Sequence, residues 1–512
     1  MKKEYRFLYL FALIKFILPF ILQNSYYQPQ RDEFLYLAEA HHMAWGFMEI
    51  PPLLSAFAWF TNLFGTSMFW LKFWPSIFGA LTYMIVGKII ISFGGKVFAL
   101  FLALLAFIFS AYLRVHFLFQ PNFLEIFFWT MIAFSILRFI QTQKKLYLYI
   151  FGISAGLGML SKYSVAFFII SILLGLLITK NRKIFLNRHL YIASLIAFLI
   201  FLPNLLWQYS HHFPVIEHMQ ELHKFQLQYV SPAGFLMDQL LMNLPCVFIW
   251  IAGLYFVIFK ENEKYRIFAW AYLLVILILL YFQGKNYYSL GIYPILFAFG
   301  AIHLERFTAT HSRVWKYVFI IIPFALGIPL IPLYLPIYKP EKLAAYYKAK
   351  HIEKTGFLKW EDLENHPLPQ DFGDMLGWKE MTEKTAKAYS LLSNEEKKNT
   401  FIFADNYGEA GAINYYGKKY NLPTVYSDNA SFLYWLPDSL HIDNLLLITD
   451  DKQEMQHDFL KDFSFVSLHD SITNTYSREH GSLIIIMKGA NEKFNQMFRD
   501  KIKSDKERFI KE

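Results

Sequence analysis

The chain has 512 residues, of which 55% are hydrophobic, 19% aromatic and only 17% charged. This apolar excess excludes an ordinary soluble globular protein and is typical of a membrane protein. The net charge of +9 does not indicate nucleic-acid binding, because Lys and Arg form short clusters at the ends of apolar segments. The single cysteine, Cys246, excludes an intramolecular disulfide and a CxxC metal site.

Long apolar segments recur through the first two thirds of the chain. A helix needs roughly 20 mainly apolar residues to cross a bilayer. The sequence predicts eleven such helices, the first of them retained because no small-residue cleavage site follows it. The predicted spans are 6–22, 68–91, 97–113, 122–140, 146–160, 163–179, 190–206, 237–259, 267–282, 288–305 and 315–337.

The charges of the connecting loops predict the topology. Lys and Arg accumulate in every second connection, which marks the cytoplasmic side, whereas each opposite connection holds a single Lys or Arg. The N-terminus is therefore expected in the cytoplasm. An odd number of spans places everything after Pro336 outside.

Residues 338–512 differ in composition from the preceding chain. Their charge density is higher, and their apolar runs shorten to strand length at 400–404, 445–449, 463–468 and 482–487. A helix is expected from Glu409 to Tyr420. We therefore predict two parts, a transmembrane catalytic domain over 1–337 and an extracytoplasmic α/β domain over 338–512.

The first outer loop, 23–67, carries candidate catalytic carboxylates. Asp32 either caps an interfacial helix, whose apolar face would include Phe34 and Trp45, or acts as a base. Asp32 and Glu33 point in different directions from a helix start, so only one of them is expected to be the working base. Glu49 follows a turn at Gly46 and adds a carboxylate that can fold back toward the first.

Isolated cations stand at the outer ends of several spans. Arg114, Lys162 and Lys285 are each alone, and Tyr287 and Tyr288 follow Lys285. Each cation can snorkel to the interface or hold an anionic headgroup such as a phosphate. Together with the loop carboxylates, they favour transfer from a lipid phosphate.

Several short motifs follow one another in a recognisable order. They are Asp32-Glu33, Trp45-Gly46 with Glu49 before Pro51-Pro52, the run 156–163, the run 203–209 with 213–215, Lys285-Asn286-Tyr287-Tyr288 before Tyr293-Pro294, and 406–412 with Leu422-Pro423. In these motifs the chain resembles the GT-C-fold glycosyltransferases related to protein O-mannosyltransferases and to the lipid A aminoarabinose transferase. The resemblance covers nearly the whole chain.

The resemblance implies an inverting transferase of the bacterial inner membrane that uses a polyprenyl-phosphate sugar as donor, without a cofactor or a catalytic metal. A glycolipid or a protein would be the acceptor. Asp32 would be the base, and Glu33 and Glu49 would orient the base or the acceptor. The donor phosphate would be bound by Arg114, Lys162, Lys285, Tyr287 and Tyr288.

The chain departs from the family pattern after the third span. Many relatives carry Pro-Asp there, whereas this chain has Gln120-Pro121-Asn122. An amide cannot serve as a base, so a role of that aspartate does not transfer, and Glu125 is one turn further on. A group of histidines, His211, His212, His218 and His223, lacks the i, i+4 spacing of a helical zinc site.

Two other classes of function stay open. A transporter or lipid flippase is expected to carry ionisable residues near the bilayer midplane, where Lys15 is the clearest example. A non-catalytic scaffold would keep the fold without activity. Residues 406–412 can equally be a turn and helix start needed only for folding.

Overall fold

A computed structural model describes residues 3–65, 67–437 and 439–509. The region up to Tyr334 is helical. Its α-helices are α1 (Lys3–Leu22), α2 (Arg31–Glu39), α3 (Leu53–Phe64), α4 (Met68–Ser92), α5 (Val97–Ile108), α6 (Tyr112–Val115), α7 (Asn122–Thr142), α8 (Leu146–Met159), α9 (Val165–Ile178), α10 (Arg188–Ser210), α11 (Pro214–Phe225), α12 (Pro232–Leu241), α13 (Val247–Tyr255), α14 (Ile267–Tyr281), α15 (Tyr293–Thr310) and α16 (Val314–Tyr334).

The prediction of a mostly helical membrane protein is confirmed. Within the described ranges, seven helices are long and apolar enough to cross a membrane, or nine if each of two bent pairs forms one span. Two further predicted spans, 97–113 and 146–160, correspond to the shorter apolar helices α5 and α8. The total of eleven spans stays a prediction.

One predicted span is wrong in its shape. Residues 237–259 do not form a straight helix, because Pro232–Leu241 and Leu244–Lys260 meet at an angle of 64°. Pro245 follows the break and cannot donate the backbone hydrogen bond that would continue the helix. The bend lies on the chain just before α13.

Small residues allow α13 and α15 to pack backbone against backbone. A Cβ atom at Gly300 would lie 1.7 Å from the Ile249 carbonyl oxygen, and one at Gly253 would lie 2.1 Å from the Leu296 oxygen. Close approach through small residues is a common means of packing helices in a membrane. The contact fixes α15, whose N-terminal end follows Lys285 and the two tyrosines.

The remaining chain forms an α/β unit around a five-stranded sheet of order β2-β1-β3-β5-β4. Strands β2, β1 and β3 are parallel, and β5 and β4 are antiparallel to their neighbours. The elements are α17 (Pro340–Ala349), α18 (Gln370–Gly373), α19 (Trp378–Ser390), α20 (Asn394–Lys398), β1 (Thr400–Ala404), α21 (Tyr407–Tyr416), β2 (Val425–Tyr426), β3 (Asn444–Thr449), β4 (Phe463–Ser471), β5 (Leu483–Ala490) and α22 (Glu492–Phe509).

The two faces of the sheet are both covered. Ile402 and Leu446 pack with Trp378 of α19, whereas Phe403 on the opposite face packs with Phe498 of α22. The four predicted strands and the helix after β1 are therefore confirmed. The sequence did not predict β2, which is only two residues long.

The carboxyl edge of the parallel strands faces the first outer loop. Strand β1 leads through α21 to β2 on one side, while β3 pairs with the other side of β1. Such a reversal of strand order opens a crevice at the carboxyl ends. A Cβ atom at Gly411 of α21 would lie 2.8 Å from Phe34 Cβ, so α21 packs directly on α2.

This contact corrects the prediction of an interfacial helix. Helix α2 ends at Glu39, so Trp45 lies beyond it. The Phe34 side chain is buried and packs edge to face on Trp378. Helix α2 is therefore covered by the C-terminal α/β unit, which a hydrophobic pattern alone cannot distinguish from a lipid interface.

Candidate functional site

The side chain that caps α2 is Gln30, not Asp32. Gln30 Oε1 accepts a hydrogen bond from the Asp32 backbone N–H at 2.8 Å, and Glu33 Oε2 accepts one from the Gln30 N–H at 3.0 Å. This reciprocal pair is a capping box. The prediction that Asp32 caps the helix is wrong, and its carboxylate is available for other contacts.

Asp32 lies where three segments of the chain meet. The Tyr407 hydroxyl at the start of α21 donates to Asp32 Oδ1 at 2.7 Å. The Gln120 side-chain amide, just before α7, donates to Asp32 Oδ2 at 3.0 Å. Arg31 stacks over the Tyr407 ring at 4.7 Å. The carboxylate is thus held from both oxygens, at the junction of the membrane helices and the α/β unit.

Glu33 faces a different environment from Asp32. Its side chain is fully buried and forms an ion pair with Lys72 of α4, which is also buried. The Phe119 N–H donates to Glu33 Oε1 at 2.7 Å. Glu33 therefore ties α2 to α4 and to the segment before α7, and the side chain is committed to that role.

Glu49 belongs to a second carboxyl pair, with Glu39. The Ser431 N–H and hydroxyl donate to the two Glu49 oxygens at 2.7 and 2.6 Å, and the Ser55 hydroxyl donates to Glu39 at 2.5 Å. Burial raises the pKa of both carboxyl groups, and the neighbouring Glu49 charge raises the pKa of Glu39 further. This pair can hold one proton between its members.

The Glu39–Glu49 pair lies close enough to Asp32 for all three carboxylates to act on one side chain, Tyr36. The Tyr36 phenol interacts electrostatically with Asp32, Glu39 and Glu49, and the three carboxylates raise its pKa after burial. The sequence analysis missed Glu39, although its position seven residues after Asp32 places both on one side of α2. That spacing is the signal that could have identified it.

Lys162 and the two tyrosines come together at the N-terminal end of α7. The Lys162 ammonium donates to Glu125 Oε2 at 2.9 Å and to Asn122 Oδ1 at 2.6 Å. It also lies 4.1 Å from the Tyr288 ring centroid and 5.5 Å from that of Tyr287. Burial lowers the pKa of Lys162, and the Glu125 carboxylate opposes this shift.

Asn122 and Glu125 both contact Lys162 at the start of α7. Asn122 supplies an amide oxygen to Lys162, and Glu125 supplies the carboxylate. The Ser164 hydroxyl donates to the other Glu125 oxygen at 2.5 Å. Glu125 is therefore the anion paired with Lys162.

Lys285 and Arg114 differ in their hydrogen bonds and ion pairs. Across the described parts of the chain, nothing offers the Lys285 ammonium a hydrogen bond or ion pair, although Lys162 and Glu361 are close enough to interact electrostatically. Arg114 forms an ion pair with Asp371 at 3.1 Å and stacks on Phe372 at 4.9 Å. Its Nε and Nη2 atoms are buried without an acceptor.

Tyr287 connects these groups to the base candidate. Its phenol interacts electrostatically with Asp371, Asp32 and Glu125. Asp371 holds Arg114, and Glu125 holds Lys162. Asp32 and the carboxylate partners of Arg114 and Lys162 therefore lie within electrostatic range of one phenol, whereas Glu33 and Glu49 are held in their own buried contacts.

The histidines of the outer loop do not converge on a metal site within the described ranges. His211 stacks on Trp207 at 4.1 Å, and His218 lies beside Lys285, which together with burial lowers the His218 pKa. The one group of potential ligand atoms found in those ranges is Asp451, Glu454 and His457, near the carboxyl end of β3. We assign no metal to either place.

Residues 49–207 match the family model described as dolichyl-phosphate-mannose-protein mannosyltransferase. This segment begins at Glu49 and includes Arg114, Gln120, Glu125 and Lys162. No curated protein sequence matches the chain.

The solved structures of ArnT show the same fold. The crystal structures of ArnT from Cupriavidus metallidurans, bound to undecaprenyl phosphate and in the apo state, both superpose with a TM-score of 0.61 at 10% identity, covering 94% of this chain and 97% of ArnT. The archaeal oligosaccharyltransferase AglB from Archaeoglobus fulgidus gives a TM-score of 0.49 at 14% identity, over 87% of this chain and 69% of AglB. The chain is thus a membrane protein with the GT-C fold that its sequence motifs predict and that ArnT shares, and residues 49–207 of it match a mannosyltransferase family model.

Proposed function

We propose that the protein is a glycosyltransferase that moves a sugar from a polyprenyl-phosphate donor to an acceptor hydroxyl at the extracytoplasmic face. The observation that carries this proposal is one partly exposed carboxylate, Asp32, on the same side of the helical region as three cations, of which Lys162 and Arg114 are paired with carboxylates and Lys285 has no anionic partner within the described chain. The match of residues 49–207 to a mannosyltransferase family supports the reaction class. The ArnT structure with undecaprenyl phosphate supports the chemical class of the donor.

The proposed reaction is an in-line displacement at the anomeric carbon. Asp32 accepts the proton of the acceptor hydroxyl while the hydroxyl oxygen forms a bond to the anomeric carbon. The bond from that carbon to the phosphate oxygen breaks, and its electron pair leaves with the polyprenyl phosphate. Attack from the face opposite the phosphate inverts the configuration.

The cations would act on the leaving phosphate. Lys285 has no anionic partner of its own within the described chain, so it is the group best prepared to bind one. Lys162 and Arg114 already face carboxylates, and both would share their charge with the phosphate as negative charge develops there. The Tyr287 and Tyr288 hydroxyls border the same place and would donate hydrogen bonds.

Glu33 and Glu49 would act indirectly in this scheme. The buried pair of Glu33 with Lys72 fixes the start of α2, and so the direction of the Asp32 side chain. Glu49 joins the first outer loop to Ser431 of the α/β unit. We therefore propose positioning roles for both.

The rival function is transport of a lipid-linked sugar. Lys15 is buried in α1 and donates to the Tyr112 carbonyl oxygen at 3.4 Å, so a mid-span charge does exist. It has no carboxylate partner in the described chain, whereas acidic and basic groups meet at the outer face. This distribution favours surface chemistry.

Radiolabelled sugar on a synthetic polyprenyl phosphate tests the proposal. Membranes with the wild-type protein are expected to move label into a lipid or a protein fraction, which also identifies the acceptor class. Asp32→Asn is expected to abolish that transfer. Movement of intact donor across the bilayer without transfer would support the transporter instead.

A further inference from the structure

Tyr407 is the first residue of α21 and reaches across to the membrane domain. Asn406 caps the helix by accepting a hydrogen bond from the Glu409 N–H at 3.0 Å, which fixes the direction in which Tyr407 leaves the helix. The phenol then donates to Asp32 Oδ1 at 2.7 Å, over a separation of 375 residues in sequence. The α/β unit thus contributes a direct contact to the proposed base.

The Tyr407 ring is held on its other side by Arg31. The guanidinium lies 4.7 Å from the ring centroid. Gly408 makes room for it, because a Cβ atom there would lie 2.6 Å from Arg31 Cγ. Burial and the Asp32 carboxylate raise the pKa of Tyr407 well above its usual value, so the phenol keeps its proton and remains a donor.

Resting on the proposed function, we infer that Tyr407 is a positioning residue for the transfer reaction and acts by orienting the Asp32 carboxylate. Each carboxylate oxygen has two lone pairs. Tyr407 occupies one on Oδ1 and the Gln120 amide occupies one on Oδ2. The plane of the carboxylate is fixed, and a lone pair stays available for the acceptor hydroxyl.

The inference gives the α/β unit a part in the chemistry. The acceptor proton moves to Asp32, and the Tyr407 phenol proton stays in place throughout. A donor to the carboxylate favours its ionised form, which is the form that can act as base. The other titratable or charged groups that interact with Asp32 are Arg31, Tyr36, Tyr287 and Asp374.

Tyr407→Phe removes only the hydroxyl and is the direct test. The turnover number for sugar transfer is expected to fall roughly 10- to 100-fold, as for the loss of one hydrogen bond to a charged group. KM for the polyprenyl-phosphate donor is expected to stay within about twofold, because the phosphate site is not touched. The acidic limb of the rate profile is expected to move to higher pH.

Tyr420→Phe is the matched control. The Tyr420 hydroxyl also donates to a carboxylate in the α/β unit, Glu383 at 3.1 Å, but on the exposed surface. The turnover number and the pH profile of Tyr420→Phe are expected to equal those of the wild type. A Tyr407→Phe enzyme with wild-type turnover and an unmoved acidic limb would overturn the inference.

Two further arms keep the outcome interpretable. If Tyr407→Phe does not fold, 3-fluorotyrosine placed at position 407 gives a stronger donor, which is expected to move the acidic limb to lower pH; an unchanged limb would overturn the inference. Inactivity of the wild type on every polyprenyl-phosphate sugar would instead reject the proposed function. An active wild type, an inactive Asp32→Asn and an unaffected Tyr407→Phe would reject Tyr407 alone.

Discussion

Among single residues, Lys162 and Lys285, the two lysines proposed to bind the donor phosphate, differ in their ion pairs. The Lys162 ammonium neutralises Glu125, whose side chain is 3% exposed, whereas Lys285 has no such partner in the described chain. Removing Lys162 leaves a buried carboxylate unpaired. Removing Lys285 breaks no hydrogen bond or ion pair within the described chain.

Lys285→Met is expected to raise KM for the polyprenyl-phosphate donor roughly 10- to 100-fold and to leave the melting temperature in detergent unchanged. Lys162→Met is expected to lower the free energy of unfolding by about 3 kcal/mol as well as to slow transfer. Donor titrations and thermal unfolding measure both effects. Lys398→Met, which removes an exposed lysine, is the control. A wild-type KM in Lys285→Met would contradict a phosphate contact at this residue.

The three cations were predictable because each is an isolated charge at the end of a predicted span, and Asp32 because it lies in the first predicted outer loop within a motif of the resembled family. Gln120 and Tyr407 carry no charge, and their contact with Asp32 spans 88 and 375 residues of sequence. The pattern of residues in a single sequence does not predict contacts between residues so far apart along the chain. The capping role of Gln30 was missed because Asp is a stronger capping residue than Gln.

At the scale of elements, the contact between α2 and α21 aligns Tyr407 with Asp32. A Cβ atom at Gly411 would approach Phe34 Cβ to 2.8 Å and the Phe34 carbonyl oxygen to 3.1 Å. Because the contact includes the Phe34 carbonyl group, Phe34 cannot relieve it by rotating its side chain. The two helices would have to separate.

Gly411→Ala is therefore expected to reduce sugar transfer at least 10-fold while the protein still folds and inserts. Gly417→Ala at the C-terminal cap of the same helix is the control, since an added Cβ meets only side-chain atoms of Leu422, Cδ1 at 3.1 Å and Cβ at 3.2 Å, and no backbone atom. Transfer rates of the two variants in matched membranes provide the comparison. Equal rates would show that the close approach of α21 to α2 does not matter for activity.

Asp405, at the carboxyl edge of the sheet, predicts that the stability of the α/β unit depends on pH. Burial, followed by the charges of Glu454, Asp450 and Asp428, raises the pKa of Asp405 to about 7. The folded unit therefore keeps a proton that the unfolded chain releases near pH 4. The resulting stability is complete below about pH 4 and is lost as the pH rises to about 7.

Hydrogen exchange of β1 and β3 in the full-length protein is expected to show a free energy of opening that falls by up to about 4 kcal/mol between pH 4 and pH 8. Asp405→Asn is expected to flatten this dependence. Asp462→Asn serves as a control of opposite sign, because Asn491 and Lys493 hold the Asp462 pKa below its usual value. A pH dependence that persists in Asp405→Asn would assign it to another group.

The elements of the sheet were predictable to different degrees. Strands β1 and β3 are short apolar runs between polar residues, so their positions follow from the sequence. The partner of α2 did not follow, because a helix buried on a protein domain and one lying on lipid carry the same apolar residues. The bend before α13 depends on how Pro245 packs within the bundle.

For the whole molecule, transfer at the extracytoplasmic face requires the α/β unit to lie outside the cytoplasm. In a Cys246→Ser background, Lys398→Cys places a thiol on the exposed surface of that unit, and Lys183→Cys places one in a connection predicted to be cytoplasmic. A membrane-impermeant maleimide on intact spheroplasts is expected to label position 398 alone. Labelling of position 183 alone would invert the topology.

The central claim is that Asp32 is the base of a transfer from polyprenyl-phosphate sugar. The most direct measurement is the initial rate of polyprenyl phosphate release by purified protein in proteoliposomes that contain donor and acceptor. Asp32→Asn is expected to slow this release roughly 10²- to 10⁴-fold, while Asp428→Asn, which changes a carboxylate paired with Lys501 on the α/β unit, keeps the wild-type rate. Release by Asp32→Asn at the wild-type rate would contradict the claim.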